Sequence, residues 1–133
     1  MLHTGKSGCI AVASTEGRIM NSATDWFKSA TGKYKRKDYL GAIADYTAAI
    51  NLKPDYAEAY YDRGNAKDGL GDYQGAVADF TKAIELKPDY AQAYNKRGFA
   101  YLMLGPKSKA RADFKRAMEL GYRVAQEALD ACR

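Results

Sequence analysis

The sequence predicts an all-α fold, a solenoid of stacked antiparallel helix hairpins, and three observations predict it. A 34-residue unit occurs three times in tandem, over residues 23–56, 57–90 and 91–124. A fixed period between about twenty and fifty residues marks a solenoid, a propeller or an array. Asn-Leu-Lys-Pro-Asp-Tyr-Ala at 51–57 returns as Glu-Leu-Lys-Pro-Asp-Tyr-Ala at 85–91, so Pro54 and Pro88 hold the same place in the unit. No stretch within the units alternates polar and apolar residues with a period of two, which sets strands aside.

Each unit reads as two amphipathic helices and a turn. Asp55-Tyr56-Ala57-Glu58 and Asp89-Tyr90-Ala91-Gln92 carry a capping carboxylate with Glu or Gln three residues on, the pattern that satisfies orphan amide donors at a helix start. The first helix of the middle unit is expected to run to about Leu70, where Gly71 supplies a left-handed stop. Asp72 caps a second helix from Tyr73 to about Glu85, and Pro88 forbids its continuation.

Small and large residues recur at fixed places. The eighth position of the unit holds Ala30, Gly64 and Gly98, the twentieth Ala42, Ala76 and Ala110, and the twenty-seventh Ala49, Ala83 and Ala117. Side chains this small let two helices approach closely. The aromatics at the fourth position (Trp26, Tyr60, Tyr94) and the twenty-fourth (Tyr46, Phe80, Phe114) fill the space between them. A mid-helix Gly costs about 1 kcal/mol relative to Ala, so its recurrence at 64 and 98 argues that close packing offsets the penalty.

These aromatic, Gly, Ala and Pro positions resemble the tetratricopeptide repeat family, and the resemblance covers 23–124. It implies a right-handed superhelical solenoid of three hairpins acting as a non-catalytic protein-interaction module. The third copy departs from the pattern, with Gly121-Tyr122 where Pro is expected, so the array is expected to end there. Residues 125–133 then form a short capping segment, with Ala128, Leu129 and Cys132 on its apolar side.

The resemblance also implies a concave groove lined by the first helix of each hairpin, to which a partner peptide or helix binds. Successive positions on one helix face place Phe27, Thr31 and Tyr34, then Tyr61, Asn65 and Asp68, then Asn95, Phe99 and Leu102 along it. Thr24, Glu58 and Gln92 share these faces. Phe27, Tyr61 and Phe99 have no evident core duty, and aromatics flanked by Asn suit an extended peptide or docked helix. A competing reading has them covering each other or meeting the N-terminal arm. One subgroup of the family grips the carboxylate end of chaperone tails. Its positions here hold Phe27, Thr31, Asp62, Gln92 and Lys96. Only Lys96 has a suitable charge and Asp62 would repel the ligand, so the two-carboxylate clamp is absent.

Charge is distributed unevenly: +2 over 23–56, −3 over 57–90 and +6 over 91–124. Lys107, Lys109, Arg111, Lys115 and Arg116 concentrate the basic excess on the last second-helix, which the resemblance places on the convex side. A solvated face explains them. The functional alternatives are an acidic partner surface, including the middle repeat of another copy, and nucleic acid, which is disfavoured because no aromatic interleaves the run for stacking beyond Phe114. Self-assembly, by such charge pairing or by stacking of exposed solenoid ends, is the alternative to groove binding. Arg63 and Arg97 are expected to reach back to Asp45 and Asp79 of the preceding repeat, with Asp79 and Asp113 of their own repeat as the competing partners.

No enzyme is expected. The single histidine, His3, has no nucleophile or base set beside it, and Asp45, Asp79 and Asp113 recur too regularly to be catalytic. No cofactor, metal or membrane span is expected either, since Cys9 and Cys132 are isolated and no apolar run approaches about 20 residues. Residues 1–22 read as an irregular, adaptable arm. Its Thr4-Gly5-Lys6-Ser7 lacks the upstream Gly of a phosphate loop. Too short an apolar stretch precedes Ala11-Val12-Ala13 for a signal peptide, so a cytoplasmic location is expected, and Met20 is a candidate translation start.

Overall fold

The computed structural model describes residues 12–13, 19–124 and 126–133, with side chains from residue 21 on. Six helices form three hairpins: α1 (Ala23–Lys35) with α2 (Tyr39–Leu52), α3 (Ala57–Gly69) with α4 (Tyr73–Leu86), and α5 (Ala91–Leu104) with α6 (Lys107–Glu119). Each second helix packs against its own first helix and against the first helix of the next hairpin, so the chain grows as a right-handed solenoid. A short helix, α7 (Gln126–Ala131), closes the end against α6. Ahead of the solenoid, β1 (Val12–Ala13) pairs antiparallel with β2 (Ile19–Met20), Val12 opposite Met20. No alternation in the sequence signalled this two-residue ladder. His3, the Thr4–Ser7 segment and Cys9 lie outside the described residues.

The helix boundaries follow from local chemistry. Asp38 and Asp72 cap the second helices by accepting from the amides of Gly41 and Gly75, both at 3.0 Å. Ser22 does the same for α1, accepting from Asp25 at 3.1 Å. The capping expected of Asp55 and Asp89 is not made. Tyr56 and Tyr90 occupy the cap positions, with no side-chain bond to the helix, because the Pro-Asp turn leaves the carboxylate one residue too early to reach the first-turn amides. The hairpin turns need a left-handed residue, supplied by Gly71 (φ 81°) in the second unit and by Lys37 (φ 65°) in the first.

The core is built on the repeated aromatics. Tyr46, Phe80 and Phe114 are buried, Tyr46 in a cluster with Ala30, Ala42, Ala59 and Ala66 and Phe114 in one with Ala110 and Ala128. A Cβ on Gly64 would sit 2.7 Å from the Phe80 ring, and one on Gly98 the same distance from Phe114. The recurring glycine is therefore a contact requirement. Gly98→Ala is expected to lower stability by about 1–2 kcal/mol, the overpacking penalty exceeding the roughly 1 kcal/mol gain in helix propensity. A thermal melt that rises on substitution would contradict this.

The Arg–Asp pairs form within each repeat, correcting the inter-repeat expectation. Arg63 Nε and Nη2 donate to both carboxylate oxygens of Asp79 at 2.8 Å, and Arg97 grips Asp113 at 2.7–2.8 Å. Asp45 is instead held by Ser29 Oγ at 2.6 Å and Lys33 Nζ at 2.9 Å. The arginines do reach the preceding repeat, but through a third donor. Nη1 of Arg63 bonds Thr47 at 3.0 Å and Nη1 of Arg97 bonds Thr81 at 3.1 Å. One guanidinium thus closes its own hairpin by a two-pronged contact and ties it to its neighbour. The carboxylate bonds hold both guanidiniums more firmly protonated than usual.

Candidate functional site

The first helices α1, α3 and α5 are neighbours along the stack, and their shared face holds the candidate groove. Phe27 and Tyr61 turn out to have core duties. Phe27 stacks on Tyr56 (ring centroids 5.0 Å) and meets Tyr46 edge-on (5.5 Å). Tyr61 repeats this with Tyr90 (4.9 Å) and Phe80 (5.7 Å). In both units the last-position tyrosine covers the groove ring. The third unit ends in Val124, so Phe99 keeps its edge contact with Phe114 (5.0 Å) but has no ring stacked over it among the described residues, and 40 % of its surface is exposed.

The rest of the predicted stripe divides between local duties and open surface. Thr31 is occupied, donating to the Phe27 carbonyl at 3.0 Å and lying 3.2 Å from the Tyr46 hydroxyl. Tyr34 packs edge-on against Tyr39. Asp68, Phe99 and Leu102 line a cavity of about 360 Å³ between the second and third units, joined by Tyr73, Lys96 and Met103. Tyr73 and Met103 were missed in the sequence. Met103 was legible as the residue one turn beyond Phe99, and 63 % of its surface is exposed.

The polar members behave differently from expectation. Asn95 is only 8 % exposed, and the side-chain oxygens of both Asn65 and Asn95 are buried without a hydrogen-bond partner. Asp62, beside Tyr61, has its carboxyl pushed up to about 6, chiefly by burial, against a favourable hydrogen bond from Asn65 and with Glu58 adding repulsion. Its field is felt by Tyr34, Tyr46, Tyr56, Tyr61 and Tyr90, whose hydroxyls are all raised, mainly by burial. The Asp62 carboxylate is thus sensed by tyrosines of α1, α2 and α3 and of the loops before α3 and α5.

The basic residues of α6 are largely engaged within the chain. Arg111 donates to the Cys132 carbonyl and Lys107 lies 3.5 Å from the Arg133 carbonyl, so both tie down the C-terminal end of α7. Arg116 pairs with Glu119 at 3.1 Å, and Lys109 lies 5.6 Å from the Tyr101 ring centroid. Cys132 itself is fully buried, its thiol donating to the Ala128 carbonyl at 3.2 Å. Among the described residues no three His, Cys, Asp or Glu converge as a metal site. No described helix is long and apolar enough to cross a membrane.

Three stacked hairpins presenting one lined face define a helical-repeat solenoid, a class whose extended concave surface serves recognition. The chain belongs to the TPR repeat family, whose pattern it matches over residues 33–67 and 70–105. Its domains are protein-interaction modules. No curated protein gives a match. Among solved structures, the Arabidopsis OM64 TPR domain is 31 % identical, with a TM-score of 0.79 over 84 % of this chain and 93 % of that one. The first TPR of Spaghetti (RPAP3) bound to the HSP90 peptide SRMEEVD is 26 % identical, with a TM-score of 0.80 over 84 % of this chain and 90 % of that one. MamA is 31 % identical with a TM-score of 0.74, and the match covers 75 % of this chain but 58 % of MamA.

Proposed function

We propose that this chain is a non-catalytic module that binds a peptide or helix of a partner protein in the groove lined by α1, α3 and α5. The observation that carries the reading is the exposed apolar surface of Phe99 and Met103, beside half-buried Leu102, around the cavity between the second and third units. A concave site with aromatic and aliphatic walls and a few polar groups is what an anchoring side chain of a ligand needs. The peptide seated on the RPAP3 relative supports a peptide ligand. The absent clamp residues argue for a different peptide from SRMEEVD.

Self-assembly by charge pairing loses its main support, because Lys107, Arg111 and Arg116 already have partners within the chain. Selection from a displayed random-peptide library, followed by affinity measurement, tests the groove. Phe99→Ala is expected to weaken the selected peptide at least tenfold, in the range of a hot-spot truncation, with the thermal midpoint little changed. Lys82→Ala, on the exposed side of α4, leaves affinity unchanged. Loss of affinity with Lys82→Ala and none with Phe99→Ala would overturn the groove. Light scattering at two salt concentrations reports self-assembly separately.

A further inference from the structure

Asp62 and the two orphaned amide oxygens carry an inference that rests on the groove reading and deepens it. Among the described residues Asp62 makes no ion pair within 4 Å. The cations nearest it in sequence, Arg63 and Lys67, turn to Asp79 instead. Asn65 lies within hydrogen-bonding reach of both Asp62 and Tyr61, and its side-chain oxygen has no partner. Asn95 is more than nine-tenths buried with its oxygen also unpaired. It sits one turn before Phe99 on the groove stripe of α5. Buried acceptors are normally satisfied, and even the partial burial of Asp62 without a counter-charge is unfavourable. Every unmet need in this region is for a donor, and the field is negative.

We propose that the groove receives a lysine or arginine side chain of the partner, its cationic head bound by the Asp62 carboxylate in a negative field to which the unpaired oxygens of Asn65 and Asn95 add. The surrounding tyrosines favour the same occupant, since an electron-rich ring attracts a cation near its face. The recognised ligand is therefore a basic segment with an apolar residue nearby for the Phe99 cavity. That polarity is the reverse of the acidic SRMEEVD peptide on the relative.

Ionised Asp62 is required, so binding should weaken as pH falls through about 6. The groups facing it are Glu58, Tyr61 and Asn65 of α3, Tyr34 of α1, Tyr46 of α2, and Tyr56 and Tyr90 of the loops. The tyrosines, all raised from their ordinary value, stay neutral over this range.

The test titrates the full chain, with backbone amides followed by NMR, with four heptapeptides of one alanine–leucine–serine frame. They differ only in a central Lys, Arg, Gln or Glu, and SRMEEVD serves as a fifth probe. The Lys and Arg peptides are expected to bind at least tenfold more tightly than Gln, with Glu and SRMEEVD weakest. In Asp62→Asn the Lys-to-Gln ratio should fall within twofold while the Gln peptide still binds, and in wild type the ratio should shrink between pH 7 and pH 5. Equal Lys and Gln affinities with groove amides shifting would overturn the cation site alone. So would a preference for Glu or SRMEEVD, or a Lys preference that survives Asp62→Asn. If no peptide shifts an amide of α1, α3 or α5, the groove reading fails with it.

Discussion

Arg97→Ala is expected to lower the unfolding free energy by about 3–5 kcal/mol, the range for removing one partner of a buried ion pair. Asp113 is 5 % exposed and Arg97 is its one ion-pair partner among the described residues. Truncation leaves a buried carboxylate with two vacated lone-pair sites, and it also cuts the bond to Thr81 that ties the last two hairpins. Arg63→Ala should cost less. Asp79 keeps Lys67 at 3.1 Å, whereas the matching position of the third unit is Tyr101. Urea unfolding of the two variants side by side checks both the size and the order. Equal losses would mean that Lys67 does nothing for Asp79. A double-mutant cycle adds the register: coupling is expected between Arg63 and Asp79 and none between Arg63 and Asp45.

Asp62→Asn should do the opposite and stabilise the protein at neutral pH. The carboxyl's folded value, about 6, lies above its ordinary 3.8. Between those values the native state binds more protons than the unfolded chain, so this group's contribution falls as pH rises through the window. At pH 7 the full penalty is present. Two units correspond to about 3 kcal/mol, and partial exposure of the side chain reduces the expected gain to roughly 1–3 kcal/mol. The gain should disappear below about pH 4, where the carboxyl is neutral in both states. Paired unfolding curves at pH 7 and pH 4 measure it. A stabilisation that is the same at both values would place its origin elsewhere than in the charge. A carboxylate kept in the groove against its own stability fits a binding role better than a packing one.

The fold was legible in the sequence because a repeated unit states each packing requirement three times. Gly64 and Gly98 are small because Phe80 and Phe114 press on them, and the 34-residue period exposes that pairing without coordinates. The same period hid the ion-pair register. In an exact repeat, Arg63 stands eighteen residues after Asp45 and sixteen before Asp79, and spacing alone cannot choose between them. Capping was misread at Asp55 and Asp89, where a turn residue sits one place ahead of the true cap.

The groove was legible as a stripe but not in its chemistry. Phe27 and Tyr61 looked spare because the tyrosines that stack on them, Tyr56 and Tyr90, lie twenty-nine residues away at the far end of the unit. Phe99 stands out once Val124 is seen to replace that tyrosine. Asp62 entered the sequence reading only as a residue that an acidic ligand would avoid. Its burial, and the unpaired oxygens of Asn65 and Asn95, depend on how α3 and α5 lie together, which no local pattern encodes. The basic α6 likewise looked like a docking surface until Lys107 and Arg111 were seen to hold the end of α7.

The measurement that bears most directly on the groove is hydrogen–deuterium exchange of the chain with and without a library-selected peptide. Protection is predicted over the first helices, centred on 61–68 and 95–103, with the second helices 39–52, 73–86 and 107–119 unchanged. Protection confined to the second helices, or to the solenoid ends, would contradict the assignment of the partner to the concave face.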